Sequence, residues 1–107
     1  MNKAATWSVK AVMSAYIFVE VEVLDQERYE TYKQMVSPSL AAFGGRYIVR
    51  GGAVEILEGS WSPQRVVILE FPSATRAKDW WESVDYAAAK ALRQSVARTR
   101  MFLVDGV

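Results

Sequence analysis

The chain has no cysteine and no histidine. Without cysteine there is no disulfide framework, thiolate nucleophile or cysteine-ligated metal, which suits a reducing cytoplasm. Without histidine the commonest general base is missing, and with it the usual nucleophilic triads and ordinary zinc sites. The remaining residues point to no cofactor and no metal. Charge bias is also missing: thirteen basic against twelve acidic residues leave +1, so no general field draws nucleic acid, anionic membrane or acidic substrate. No apolar run approaches the ~20 residues needed to span a bilayer. The first twelve residues carry two lysines but no continuous apolar stretch of the secretory kind. The expectation is a soluble, cytoplasmic protein, with residues 1–12 as a flexible arm ahead of a single domain over 13–107.

What is present suffices for one packed module. The 107 residues are 51% hydrophobic and 12% aromatic, enough for a core and too few for two domains. From Ala15 to Val23 the sequence alternates, setting Ile17, Val19, Val21 and Val23 on one face and Tyr16, Phe18, Glu20 and Glu22 on the other. Asp25 marks a helix start, and Tyr29, Tyr32, Val36, Leu40 and Phe43 recur at helical spacing behind it. Pro38 interrupts that stripe, so a bent or two-part helix ending at Gly44 is predicted. Arg46 to Arg50 and Ala53 to Leu57 flank Gly51-Gly52 and read as a hairpin or one bent strand.

Arg65 to Phe71 is an apolar strand bounded by Pro72, and Ser73 opens a second helical region. Its stripe reads Trp80, Val84, Ala87, Ala88, Ala91 and Leu92, with Ser83 marking a break. Thr99 to Val104 closes the chain as a strand. This order predicts an α+β class, a ferredoxin-like βαββαβ sandwich with an antiparallel sheet and both helical regions on one face.

The stretch Tyr-Lys-Gln-Met-Val-Ser-Pro-Ser-Leu-Ala-Ala-Phe-Gly-Gly-Arg-Tyr-Ile-Val-Arg-Gly-Gly resembles the signature of domain-of-unknown-function family 1330. The segments Val-Val-Ile-Leu-Glu-Phe-Pro-Ser, Trp80 to Tyr86 and the region of Arg93 resemble it too, so the likeness covers about residues 14 to 106. The resemblance implies a dimeric α/β-barrel, a superfamily whose other branches include small monooxygenases, isomerases and dehalogenase-like enzymes. The family itself has no established activity, so it assigns no catalytic residue.

With helices on one side only, the other sheet face is open. Strand parity gives that face Tyr16, Phe18, Glu20, Glu22, Val66, Ile68 and Glu70, and charge adds Arg46, Ile48 and Arg50. So much apolar area calls for a partner, and two such sheets stacked about a two-fold axis make a homodimer.

Two readings of the arginines stand side by side. In one they are ion-paired with Glu20, Glu22 or Glu70 as interface struts, and the dimer is structural or ligand-sensing. In the other a free guanidinium grips a small anionic organic ligand. The ligand-binding candidates are then Arg46, Arg50, Tyr16, Phe18, Glu20 and Trp61, and Glu70 is the candidate general base of a cofactor-independent enzyme. Ser39 lacks an elbow motif or base and reads as helix-start chemistry. Arg93 reads as a surface or inter-element ion pair. No basic stripe accompanies the aromatics, so nucleic acid is not an expected partner, nor is a membrane.

Overall fold

A computed structural model describes residues 14–107; the arm expected over 1–12 lies outside the described residues. The elements follow in the order β1 (Ala15–Val23), α1 (Gln26–Ala41), β2 (Arg46–Arg50), β3 (Arg65–Phe71), α2 (Ala74–Trp81), α3 (Val84–Val96) and β4 (Ala97–Asp105). The sheet runs in the order β2-β3-β1-β4, and every neighbouring pair is antiparallel. This is the ferredoxin-like α+β arrangement. Among the described residues no helix is long and apolar enough to cross a membrane.

Local chemistry sets the element ends. Asp25, Ser73 and Ser83 cap α1, α2 and α3 by accepting from the backbone N–H of Arg28, Arg76 and Tyr86. Ser83 therefore divides the second helical region in two, as its place in the sequence suggests. Pro38 does not divide the first: α1 continues through it to Ala41. Proline removes one backbone donor, and the buried stripe on either side of it holds the turn in place. Gly44, at φ +75°, then ends the descent, and Gly45 lets the chain pass against Phe71, whose ring would lie 2.5 Å from a Cβ there.

The core lies between the helices and one sheet face. Ile17, Val19 and Val21 of β1 and Val67, Leu69 and Phe71 of β3 are buried there, under Tyr29, Tyr32, Val36 and Leu40 of α1. Trp80 stacks on Tyr86 with ring centroids 4.0 Å apart, and its indole N–H donates to Ser39 Oγ at 3.0 Å. Ser39 is thus a buried acceptor for the largest core side chain.

The stripe of α3 differs from expectation. Tyr86, Ala89, Arg93 and Val96 are buried, whereas Val84, Ala87, Ala88 and Ala91 are exposed. The break at Ser83 resets the helical phase, so the stripe cannot be extended from Trp80 across it. The second half of the expected hairpin is also missing. Residues 51 to 64 form no strand, and Val54, Ile56, Leu57 and Trp61 are exposed along them.

Candidate functional site

The open face is organised in rows that cross the strands. Strand pairing sets Phe18 between Ile68 and Phe102, Glu20 between Val66 and Arg100, and Tyr16 between Glu70 and Val104. An apolar row therefore runs through the middle, with charged rows beside it. Phe18 and Phe102 stack at 5.1 Å between centroids with their planes 13° apart. Phe102 and Val104 are about half exposed.

Each charged row pairs within the chain. Arg46 lies opposite Glu70 across β2 and β3, donating to Oε1 through Nε at 2.7 Å and Nη2 at 2.6 Å, while Tyr16 OH donates to Oε2 at 3.3 Å. Glu20 is held in the same way: Arg100 donates to Oε1 through Nε at 3.1 Å and Nη2 at 2.8 Å, and Trp61 Nε1 donates to Oε2 at 3.2 Å. Arg98 reaches Glu22 at 3.4 Å. The Arg100 guanidinium holds the Glu20 carboxyl below the ordinary carboxylate range, with Trp61 assisting. Both oxygens of Glu20 and of Glu70 are engaged.

Arg50 is not on this face. The β2–β3 register shifts between Tyr47 and Val49, so Val49 opposes Ile68 and Arg50 opposes the core-facing Val67. One extra residue in a strand reverses every side chain beyond it. Arg50 instead stacks on the Tyr47 ring at 4.2 Å and donates to the Lys33 carbonyl of α1 at 3.4 Å. The two arginines at the ends of Arg46–Arg50 thus stand on opposite sides of the sheet, and only Arg46 meets a glutamate.

The structure places Tyr16, Phe18, Glu20, Arg46 and Glu70 on the open face, and Trp61 reaches it from the segment between β2 and β3. Trp61 draws the irregular segment over the sheet and walls a concavity of about 450 Å³ with Phe18, Glu20, Arg100 and Phe102. A second hollow of about 320 Å³ lies beside it, between Glu22, Ser62, Gln64 and Arg98. Sequence reasoning missed Arg98, Arg100 and Phe102. The alternation Arg-Thr-Arg-Met-Phe carries their signal, and parity applied to β4 as it was to β1 recovers them.

It also misplaced Arg93, which is no surface group: it is 3% exposed, with Nε donating to Tyr86 OH at 3.2 Å and Nη1 to Thr99 Oγ1 at 2.5 Å. Tyr86 OH in turn lies 3.0 Å from Tyr32 OH. Burial, together with the neighbouring Tyr86, pushes the Tyr32 hydroxyl well above its ordinary pKa.

An antiparallel four-stranded sheet with helices on one face and an open opposite face defines the class, a ferredoxin-like α+β domain. The chain belongs to the family described as Domain of unknown function (DUF1330), whose model matches residues 14–107. No curated protein matches the chain significantly.

Among solved structures it is similar to a protein of unknown function from Rhodopseudomonas palustris, at 18% identity and a TM-score of 0.75, covering 99% of this chain and 92% of that one. It is also similar to a dimeric ferredoxin-like protein of unknown function from Thermobifida fusca, at 10% identity and a TM-score of 0.60, covering 87% and 91%. SnoaB, a cofactor-independent oxygenase from Streptomyces nogalater, matches at 6% identity and a TM-score of 0.56, covering 88% and 91%. At such identities the likeness is one of fold.

Proposed function

We propose that the chain works as a cytoplasmic homodimer joined through the open face of its sheet, with the arginine–glutamate pairs as struts that set the register of the two copies. The observation that carries this reading is the apolar row of Ile68, Phe18 and Phe102, which no helix covers and which paired charges flank. An apolar centre inside a polar rim is the anatomy of a protein interface. The exposed Val54, Ile56 and Leu57 beside the sheet add apolar surface suited to a partner. That a ferredoxin-like neighbour of unknown function is described as dimeric supports the same reading. The test is sedimentation equilibrium of the full chain: a mass of twice 12.0 kDa is expected, and a monomer at tens of micromolar protein contradicts the proposal.

The concavity under Trp61 favours a second, compatible reading. A stacked partner sheet would close it into a chamber for a small organic molecule bounded by Phe18, Phe102 and Trp61. Arg100 is neutralised by Glu20 there, so the chamber suits a planar, weakly charged ligand better than the anion expected from free arginines. Were the chain a cofactor-independent enzyme, Glu70 would serve as base only on release from Arg46, and Glu70→Gln would abolish turnover while leaving ligand binding intact. Binding of 2-naphthol, lost in Trp61→Ala, tests the chamber; equal binding by wild type and variant contradicts it.

A further inference from the structure

The most unusual charge in the molecule lies on the other side of the sheet. Arg93 is 3% exposed, and its partners, Tyr86 OH and Thr99 Oγ1, are both neutral. Among the described residues no carboxylate lies within ion-pair distance of it. Arginine does not shed its proton inside proteins, and a buried charge without a counter-charge is costly.

Arg93 also lines a cavity of about 20 Å³ between the helices and the sheet. Two further cations line the same space, Lys33 and Arg65, and the Arg65 Nε is buried with no hydrogen-bond partner. Among the described residues no acidic side chain lines it, while Tyr29, Tyr32 and Tyr47 do. Arg50 stands just outside, stacked on Tyr47. Lys33 is already paired with the exposed Glu30 at 3.3 Å, so among the described residues Arg93 and Arg65 are the cations of this small space that lack an ion-pair partner, and phenolic hydroxyls surround them.

From this arrangement we infer that the helix-side cavity is an anion site in which Arg93 clamps the carboxylate head of a small organic acid. With Nε and Nη1 already donating to Tyr86 and Thr99, Arg93 offers a carboxylate its Nη2, a charge-assisted hydrogen bond. The space admits one or two water-sized groups, room for the oxygens of a planar carboxylate head only, so the rest of the acid would lie outside it. Lys33, partly exposed at its side chain, and Arg50 mark the side on which an anion would enter. This site is independent of the open face and does not rest on the dimer proposal.

The test uses the full chain in low-salt HEPES, titrated with sodium acetate, sodium benzoate, sodium chloride or sodium sulfate at matched ionic strength. Acetate or benzoate should raise the melting temperature saturably, by about 10 °C at a hundredfold excess over Kd, with sulfate giving only the small response common to all salts. Arg93→Met should lose the saturable response, and Arg93→Lys should keep part of it. Because Arg93→Met risks misfolding, the Arg93 Nε–H resonance of the wild-type protein provides a second readout.

A carboxylate on the same guanidinium should move that resonance, while those of Arg46 and Arg100, which do not line the cavity, should stay. Carboxylates acting no differently from sulfate, with a stationary Arg93 signal, would overturn the inference. Saturation by chloride alone would overturn the carboxylate assignment. Sedimentation of the same samples separates this outcome from the dimer proposal, since loss of dimer mass bears only on the latter.

Discussion

Arg46 and Glu70 face each other across β2 and β3, with the guanidinium on one carboxylate oxygen at 2.6 and 2.7 Å and Tyr16 at the other. In the single chain the Arg46 side chain is 71% exposed and that of Glu70 23%. This asymmetry makes the pair a reporter of what covers the sheet. A double-mutant cycle with Arg46→Ala and Glu70→Gln should give a coupling of about 0.2–1 kcal/mol where the pair stays in water. Where a second sheet covers it, breaking the pair should cost about 3–5 kcal/mol. The dimer account predicts the larger value at high protein concentration and the smaller on dilution, measured by chemical denaturation. A concentration-independent coupling contradicts it.

Ser39 and Trp80 make a purely structural prediction. Ser39→Ala leaves the buried indole N–H without its acceptor, at a cost of about 1–3 kcal/mol. In a Trp80→Phe background the same substitution should cost much less, because the stranded donor is gone. Equal costs in the two backgrounds, read from urea unfolding, would remove this hydrogen bond from the account of the core.

Stability should fall at both ends of the pH scale. Burial pushes the Tyr47 hydroxyl up from 10.0 to about 12, against the opposing pull of Arg50, and pushes Tyr32 up as well. A raised folded pKa means that the folded state keeps protons the unfolded state has lost. The contribution is whole below pH 10 and is lost as pH rises from 10 towards about 12. Glu20 has the opposite sign. Its lowered folded pKa gives a contribution present above the ordinary 4.5 and lost as pH falls through the folded value. Melting curves against pH should show a shallower alkaline limb for Tyr47→Phe and a shallower acid limb for Glu20→Gln. Limbs that superimpose on wild type would contradict these assignments.

Much of this architecture is legible in the residues themselves. Alternation in Ala15–Val23 and Arg65–Phe71 separates the two sheet faces correctly, because a period of two leaves no freedom once one face is apolar. Asp25, Ser73 and Ser83 announce the helix starts through the capping bonds they make. The placement of Arg50 is not legible, since the bulge at Tyr47/Val49 is a tertiary choice with no local residue that demands it. Arg93 is hidden for a different reason. A charged residue at the buried phase of α3 reads as surface until the neutral partners Tyr86 and Thr99, one on its own helix and one on β4, are brought to it. The apolar alternation of Val54 and Ile56 predicts a hairpin there, but among the described residues it finds no neighbouring strand.

The central claim, that two copies meet through the open sheet face, is tested most directly by sedimentation velocity on two single charge insertions. Phe102→Asp places a carboxylate in the apolar row, and Ala87→Asp places one on the exposed side of α3. The account predicts a dimer for wild type and Ala87→Asp, and a monomer with unchanged far-ultraviolet circular dichroism for Phe102→Asp. A Phe102→Asp protein that remains dimeric, or an Ala87→Asp protein that dissociates in its place, would contradict it.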